Sequence, residues 1–277
     1  MLANRIDRVR HSRNLWNIVG KTAGQLIGDL VIPEVAIYLW TRLGDLRKKE
    51  PEASLELVRQ DYEATEAMAI KIRAGRGDNL GHNNENAPGR TEKLIRMARE
   101  MFGDEIALMI DGDGTYDVKE AIRIGKILEE HNYYFYEEPI PWECCKEQKL
   151  VELALDILMA GGAEEFGVHA FRYLFGKEVF QTVQPGLFYC IGMVRAMQVA
   201  RMAEAAGLQI TPHISGGGLG YVYMLQMVTV CPPPNGTSSK CSILAKSMEP
   251  SFPWRAMRNP LLASTELSKS PWALGSA

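Results

Sequence analysis

The chain has 277 residues, 46% hydrophobic and 23% charged, enough for one large α/β domain or two medium ones. That composition excludes a disordered or collagen-like chain. With 31 Lys and Arg against 34 Asp and Glu, the net charge of −3 gives no overall attraction for nucleic acid or an anionic membrane, and points to small-molecule chemistry.

A transmembrane helix needs roughly eighteen consecutive apolar residues, and the most apolar stretches here are interrupted, for example by Arg195 and Arg201. The first residues carry Arg5, Arg8, Arg10 and Arg13 without an apolar core, so no secretory signal is expected; an Arg-rich organellar presequence is the alternative. Five cysteines in no zinc spacing (Cys144, Cys145, Cys190, Cys231, Cys241) suggest reduced thiols and a cytoplasmic location.

In chain order, short apolar runs alternate with longer amphipathic ones. Strands are predicted at Val35–Trp40, Ala69–Ala74, Ile106–Asp111, Tyr133–Glu137, Ile157–Gly161, Val179–Gln184 and Leu208–Pro212. Helices are predicted at Pro51–Met68, Thr91–Phe102, Val118–His131, Lys149–Leu155, His169–Gly176, Met193–Ala206 and Leu219–Val230. Seven successive βα units imply a parallel sheet covered by helices, either an open doubly wound sheet or a (β/α) TIM-type barrel. Polar residues gather at the strand ends (Lys71, Arg73, Asp111, Asp113, Glu137, Glu138, Glu164, His213), which favours a barrel with one functional rim. Residues 34–231 form the expected barrel domain. The 46 residues from Pro232 to Ala277 hold nine Ser and seven Pro and predict an irregular tail without a strand.

Asp111 and Glu137 lie 26 residues apart at the ends of consecutive strands, so both carboxylates are expected at the same rim. Two such groups repel unless a cation joins them, and Mg²⁺ suits carboxylate oxygens; the alternative is acids that simply face water. Lys71 and Arg73, two apart on one strand, share a face and form a site for a substrate carboxylate, or pair with neighbouring acids. A lysine beside Arg and a divalent cation is expected to have a lowered pKa, toward use as a base. His213 is a candidate acid/base because its free pKa lies near neutrality. Gly216–Gly220 resembles a phosphate loop only loosely and lacks a Walker lysine.

Five motifs then resemble one family. Ala107-Leu-Met-Ile-Asp111-Gly-Asp-Gly, Phe135-Tyr-Glu137-Glu138-Pro139, Ala160-Gly161-Gly162, Val183-Gln184-Pro185 and Thr211-Pro212-His213-Ile-Ser are similar, in order and spacing, to the mandelate racemase/muconate lactonizing enzyme branch of the enolase superfamily. More narrowly, they resemble its acid-sugar dehydratases. Residues 1–33, with Asn14–Ile27, resemble the linker helix leading into the barrel. The resemblance implies an enolase-type barrel with its eighth strand and N-terminal capping domain incomplete, and homo-oligomers are common in the family.

It further implies Mg²⁺-assisted removal of a proton next to a sugar-acid carboxylate, followed by loss of water. Lys71, Arg73 and His213 fall at the catalytic positions, and Asp111 and Glu137 at the first two metal ligands. The third ligand position holds Ala163, so Glu164, one residue on, is the expected third ligand, through a local bulge. Asp113 and Glu138 are the expected substrate contacts; His82, in the Asn-rich stretch of the Gly75–Arg90 loop, is a candidate contact for hydroxyls, with a solvated loop as the alternative. The Asp that orients the histidine is replaced by Gly186. These departures leave a second reading open: a catalytically impaired or inactive barrel of the same family.

Overall fold

The computed structural model describes residues 36–40, 50–64, 67, 69–75, 83, 85, 87–214, 218–231 and 244–247. The expected linker helix (1–33), His82 and most of the Ser/Pro-rich tail lie outside the described residues.

The strands are β1 (Ala36–Trp40), β2 (Ala69–Arg73), β3 (Ala107–Asp111), β4 (Phe135–Glu137), β5 (Leu158–Gly161), β6 (Thr182–Val183), β7 (Gln209–Ile210) and β8 (Leu244–Ser247). The helices are α1 (Pro51–Glu63), α2 (Arg90–Phe102), α3 (Val118–Glu130), α4 (Cys145–Ala154), α5 (Val168–Gly176), α6 (Met193–Ala205) and α7 (Gly218–Val228). Local chemistry fixes several boundaries. Pro51 opens α1, where its missing N–H costs no helical bond. Asp117 caps α3 by accepting the N–H of Glu120 at 2.9 Å. Gly103, at φ 69°, ends α2 in a backbone region that suits glycine. Helix α4 begins four residues earlier than predicted; buried Gln148 donates to the carbonyl of Ile140 at 2.7 Å and ties that first turn to the preceding loop.

All eight strands are parallel, in the spatial order β7-β6-β5-β4-β3-β2-β1-β8. No ladder joins β7 to β8 among the described residues, so the structure is an incomplete (β/α) barrel. One expectation is corrected: four residues of the tail, Leu244–Ser247, form a strand beside β1. Leu-Ala-Lys-Ser has little strand propensity of its own, and the pairing edge of β1 supplies what the local sequence lacks.

Side chains alternate across the sheet. Leu108 and Ile110 of β3, with Ile70, Ile72 and Tyr136 of its neighbours, face the helices and pack against Leu55, Leu94, Ile95 and Ile124. The opposite parity (Tyr38, Trp40, Ala69, Met109, Phe135, Ala160) forms a smaller apolar cluster inside the barrel. Among the described residues no helix is long and apolar enough to cross a membrane.

Candidate active site

The inward parity that plugs the barrel with apolar side chains continues into charged ones at the strand ends. Arg73, Asp111, Glu137 and Ala160 stand in one cross-strand row, above a row containing Trp40, Lys71, Met109, Phe135 and Leu158. Lys71 therefore lies one layer below the two carboxylates and reaches up to them.

Its ammonium hydrogen-bonds Glu137 Oε2 and lies 3.6 Å from Asp111 Oδ2. The same nitrogen sits over the indole of Trp40, 4.2 Å from the ring centroid, and 5.4 Å from that of Tyr38. Arg73 Nη2 is 3.5 Å from Asp111 Oδ2, and its Nη1 pairs with Asp113. The Asp113 N–H donates to Asp111 Oδ1 at 2.9 Å. Gln184 Nε2 donates to Glu137 Oε2 at 2.8 Å.

Burial pushes the Glu137 carboxyl up, and Asp111 adds to that, against Lys71 and Gln184. For Lys71, burial alone would lower the pKa; Glu137, Tyr38 and Asp111 outweigh it and hold the ammonium charged, with its pKa raised. The expected lowering belongs to a lysine beside a divalent cation; without one, the carboxylates set the direction. The neighbours that dominate here are carboxylates, with Arg73 turned toward Asp111 and Asp113.

His213 lies across the mouth, after β7. It is buried, its main-chain N–H donates to the Pro185 carbonyl at 3.1 Å, and it bridges Gly186 as an isolated parallel pair.

The expected substrate contacts fare differently. Asp113 is engaged by Arg73. Glu138 is buried and turned into the backbone, at φ 36°, where Oε1 accepts the N–H groups of Gly162 at 2.9 Å and Ala163 at 3.1 Å. Burial, then the charges of Glu164 and Glu137, push its carboxyl well above the usual range. Glu138 thus fastens the turn after β5 through Oε1. His82 lies outside the described residues, while Asn83 of the same loop is tied to Asp117, whose Oδ2 lies 2.6 Å from its amide nitrogen.

Glu164 does not complete a metal set. Strand β5 stops at Gly161, and Gly162, at φ 92°, turns the chain instead of bulging it. Ala163 is left buried and Glu164 half-buried. Among the described residues no three His, Cys, Asp or Glu side chains gather to hold a metal ion. Asp111 and Glu137 are two carboxylates suited to a hard cation, and a cation, the Lys71 ammonium, already lies against both. They do not fit a three-carboxylate magnesium site.

Sequence reasoning missed Gln184, Trp40 and Tyr38 as members of the site. Gln184 ends the strand expected from sequence, as Asp111 and Glu137 end theirs, and that shared position was the available signal. Nothing in the sequence marked the two aromatics of β1 apart from the inward parity they share with Lys71.

Comparison with known proteins bears on the family and the fold. The model of the enolase C-terminal domain-like family matches residues 53–242. The chain is 24% identical over 217 residues to arabinonate dehydratase of Saccharolobus solfataricus, covering 75% of this chain and 54% of that protein. It is 25% identical over 218 residues to D-galactonate dehydratase of Pectobacterium atrosepticum, covering 77% and 55%. It spans about half the length of these curated relatives. L-talarate dehydratase from Polaromonas sp. JS666, solved complexed with Mg and L-glucarate, superposes with a TM-score of 0.67 at 17% identity, over 82% of this chain and 57% of that one. The chain belongs to the enolase C-terminal domain-like family, among whose members it resembles the acid-sugar dehydratases and the mandelate racemase/muconate lactonizing proteins.

Proposed function

We propose that this barrel carries lyase chemistry of the acid-sugar dehydratase type. In that reaction the proton on the carbon next to a substrate carboxylate is removed. The hydroxyl on the following carbon then leaves as water, and the resulting enol becomes a keto acid. The observation that carries this reading is the inward cluster of Lys71, Arg73, Asp111 and Glu137 at one end of β2–β4, with His213 across the mouth.

In this scheme Lys71 and Arg73 supply positive charge for the substrate carboxylate, and for the negative charge that grows on it as the proton leaves. Their present partners, Asp111, Glu137 and Asp113, keep them oriented until substrate binds. His213 is the group suited to carry the proton, since Lys71 rests in its charged form and guanidinium does not deprotonate. Magnesium is the cofactor the family resemblance implies, with Asp111 and Glu137 as the residues that would face it, and among the described residues no third carboxylate joins them.

A second reading, a barrel whose chemistry has lapsed, is favoured by one observation. A β-carbon at Gly186 would overlap the carbonyl oxygen of Ala163, so the two positions at which this chain departs from the family pattern lean on each other. The turn after β5 occupies the space an orienting aspartate beside His213 would need.

The test is a panel of aldonic and aldaric acids incubated with the full chain, with and without Mg²⁺, scored for keto-acid product. Turnover that falls by a factor on the order of 10²–10⁴ in His213→Asn, the usual worth of a positioned acid/base, supports the lyase reading. No keto acid from any member of the panel favours the lapsed barrel.

A further inference from the structure

We propose that the mouth of this barrel carries a built-in cation, Lys71, in place of a divalent metal, and that the turn after β5 is fastened so that no third carboxylate reaches it. The inference concerns the same site as the lyase reading but does not depend on turnover.

Three of the four oxygens of Asp111 and Glu137 already face donors. Asp111 Oδ1 accepts the N–H of Asp113 at 2.9 Å. Asp111 Oδ2 lies 3.6 Å from Lys71 Nζ and 3.5 Å from Arg73 Nη2. Glu137 Oε2 accepts from both Lys71 and Gln184. Lys71 has no room to withdraw: its side chain is fully buried, with Tyr38 and Trp40 of β1 beside the ammonium. A divalent ion entering between Asp111 and Glu137 would meet that fixed positive charge at close range, where like charges repel strongly for want of water.

The third position is closed from two sides. Below, Glu138 Oε1 holds the successive N–H groups of Gly162 and Ala163. Above, the Ala163 carbonyl packs where Gly186 has no side chain. Gly186 in turn is paired to His213, so the turn is locked to the wall carrying the histidine. A side chain at 186 would meet main chain, the Ala163 carbonyl oxygen, so the turn cannot yield there by a change of rotamer alone.

The experiment is a titration of the full chain with Mn²⁺ alone, read as free Mn²⁺ by electron paramagnetic resonance, and with Mg²⁺ by calorimetry. Wild type is compared with Lys71→Met, which removes the charge and keeps the length of the stem. Wild type is expected to show no saturable uptake. Lys71→Met is expected to bind one ion saturably, at least about tenfold below the highest concentration at which wild type shows none, the scale on which a neighbouring group tunes a metal site. Should Lys71→Met fail to fold, Lys71→Gln, which keeps a donor for Glu137, takes its place with the same expectation.

Saturable one-to-one uptake by wild type that is unchanged or weakened in the lysine variant overturns the proposal. That result would leave the lyase reading standing and return magnesium to it. Loss of the lyase reading shows instead as absence of keto acid, whatever the metal titration gives.

Discussion

A β-carbon on Gly186 would overlap the carbonyl oxygen of Ala163 and stand 2.9 Å from Cδ2 of Tyr189. The first of these is main chain, so relief requires moving the turn that Glu138 holds, and not merely a rotamer. Gly186→Ala is accordingly expected to destabilise the fold by about 1–3 kcal/mol, the cost of forcing extra volume into a packed site. Denaturant unfolding of the variant checks this, and a midpoint equal to that of wild type would mean that the Ala163 turn does not lie against Gly186. At this scale the sequence was informative wherever period-two alternation decides the outcome. Lys71, Arg73, Asp111 and Glu137 occupy inward strand positions, and the structure brings all four together. It was uninformative wherever the chain leaves the strand. Glu164 depended on a bulge that the left-handed Gly162 replaces with a turn, and Glu138, just beyond β4, has a positive φ that alternation does not foresee.

Helix α3 shows how one side chain joins elements whose order in the sequence was plain but whose fastening was not. Near its C-terminal end Glu129 accepts the N–H of Asp156 at 2.5 Å and of Ile157 at 3.2 Å, and pairs with Lys126 at 2.8 Å. The helix is thereby clamped to the chain entering β5. Burial would raise the Glu129 pKa, but Lys126 and the two backbone donors outweigh it, and the carboxyl is held below its ordinary value. A depressed folded-state pKa stabilises the protein above the unfolded value of about 4.3, and the contribution is lost as pH falls through the folded value. Glu129→Gln, which cannot ionise, is expected to cost about 1 kcal/mol near pH 7, allowing for the group's partial exposure. The gap to wild type should narrow as pH falls below about 4, through the folded value. Unfolding titrations at both ends of that range decide it, and an identical gap at each would show that the charge contributes nothing to the clamp. The βα rhythm was legible because amphipathic helices and apolar strands differ in period. The clamps were not, since Glu129 lies 27 residues from Asp156 and nothing local pairs them.

The molecule as a whole is a ring of parallel strands that, among the described residues, hydrogen bonds leave open between β7 and β8. Strand β8 covers one side of β1 with a four-residue ladder, from Ala36 opposite Leu244 to Leu39 opposite Ser247. Its composition hid it from sequence reading, because it is fixed by an edge far away in the chain rather than by its own residues. That edge matters to the site, for β1 also carries Tyr38 and Trp40, the aromatic floor under Lys71. Without β8, β1 would become the terminal strand, with unpaired N–H and C=O groups available to other chains. Deletion of residues 232–277 is therefore expected to lower the unfolding temperature and to promote self-association. It should also loosen the packing of Trp40, read as a shift of the tryptophan emission, with a Trp40→Phe control to isolate that residue's signal. Light scattering and thermal unfolding of the shortened chain beside the full one provide the measurement. A shortened chain with unchanged melting and unchanged mass in solution would show that β8 contributes nothing to β1. The floor of the site would then be held by β2 and the inward cluster of Met109, Phe135 and Ala160 alone.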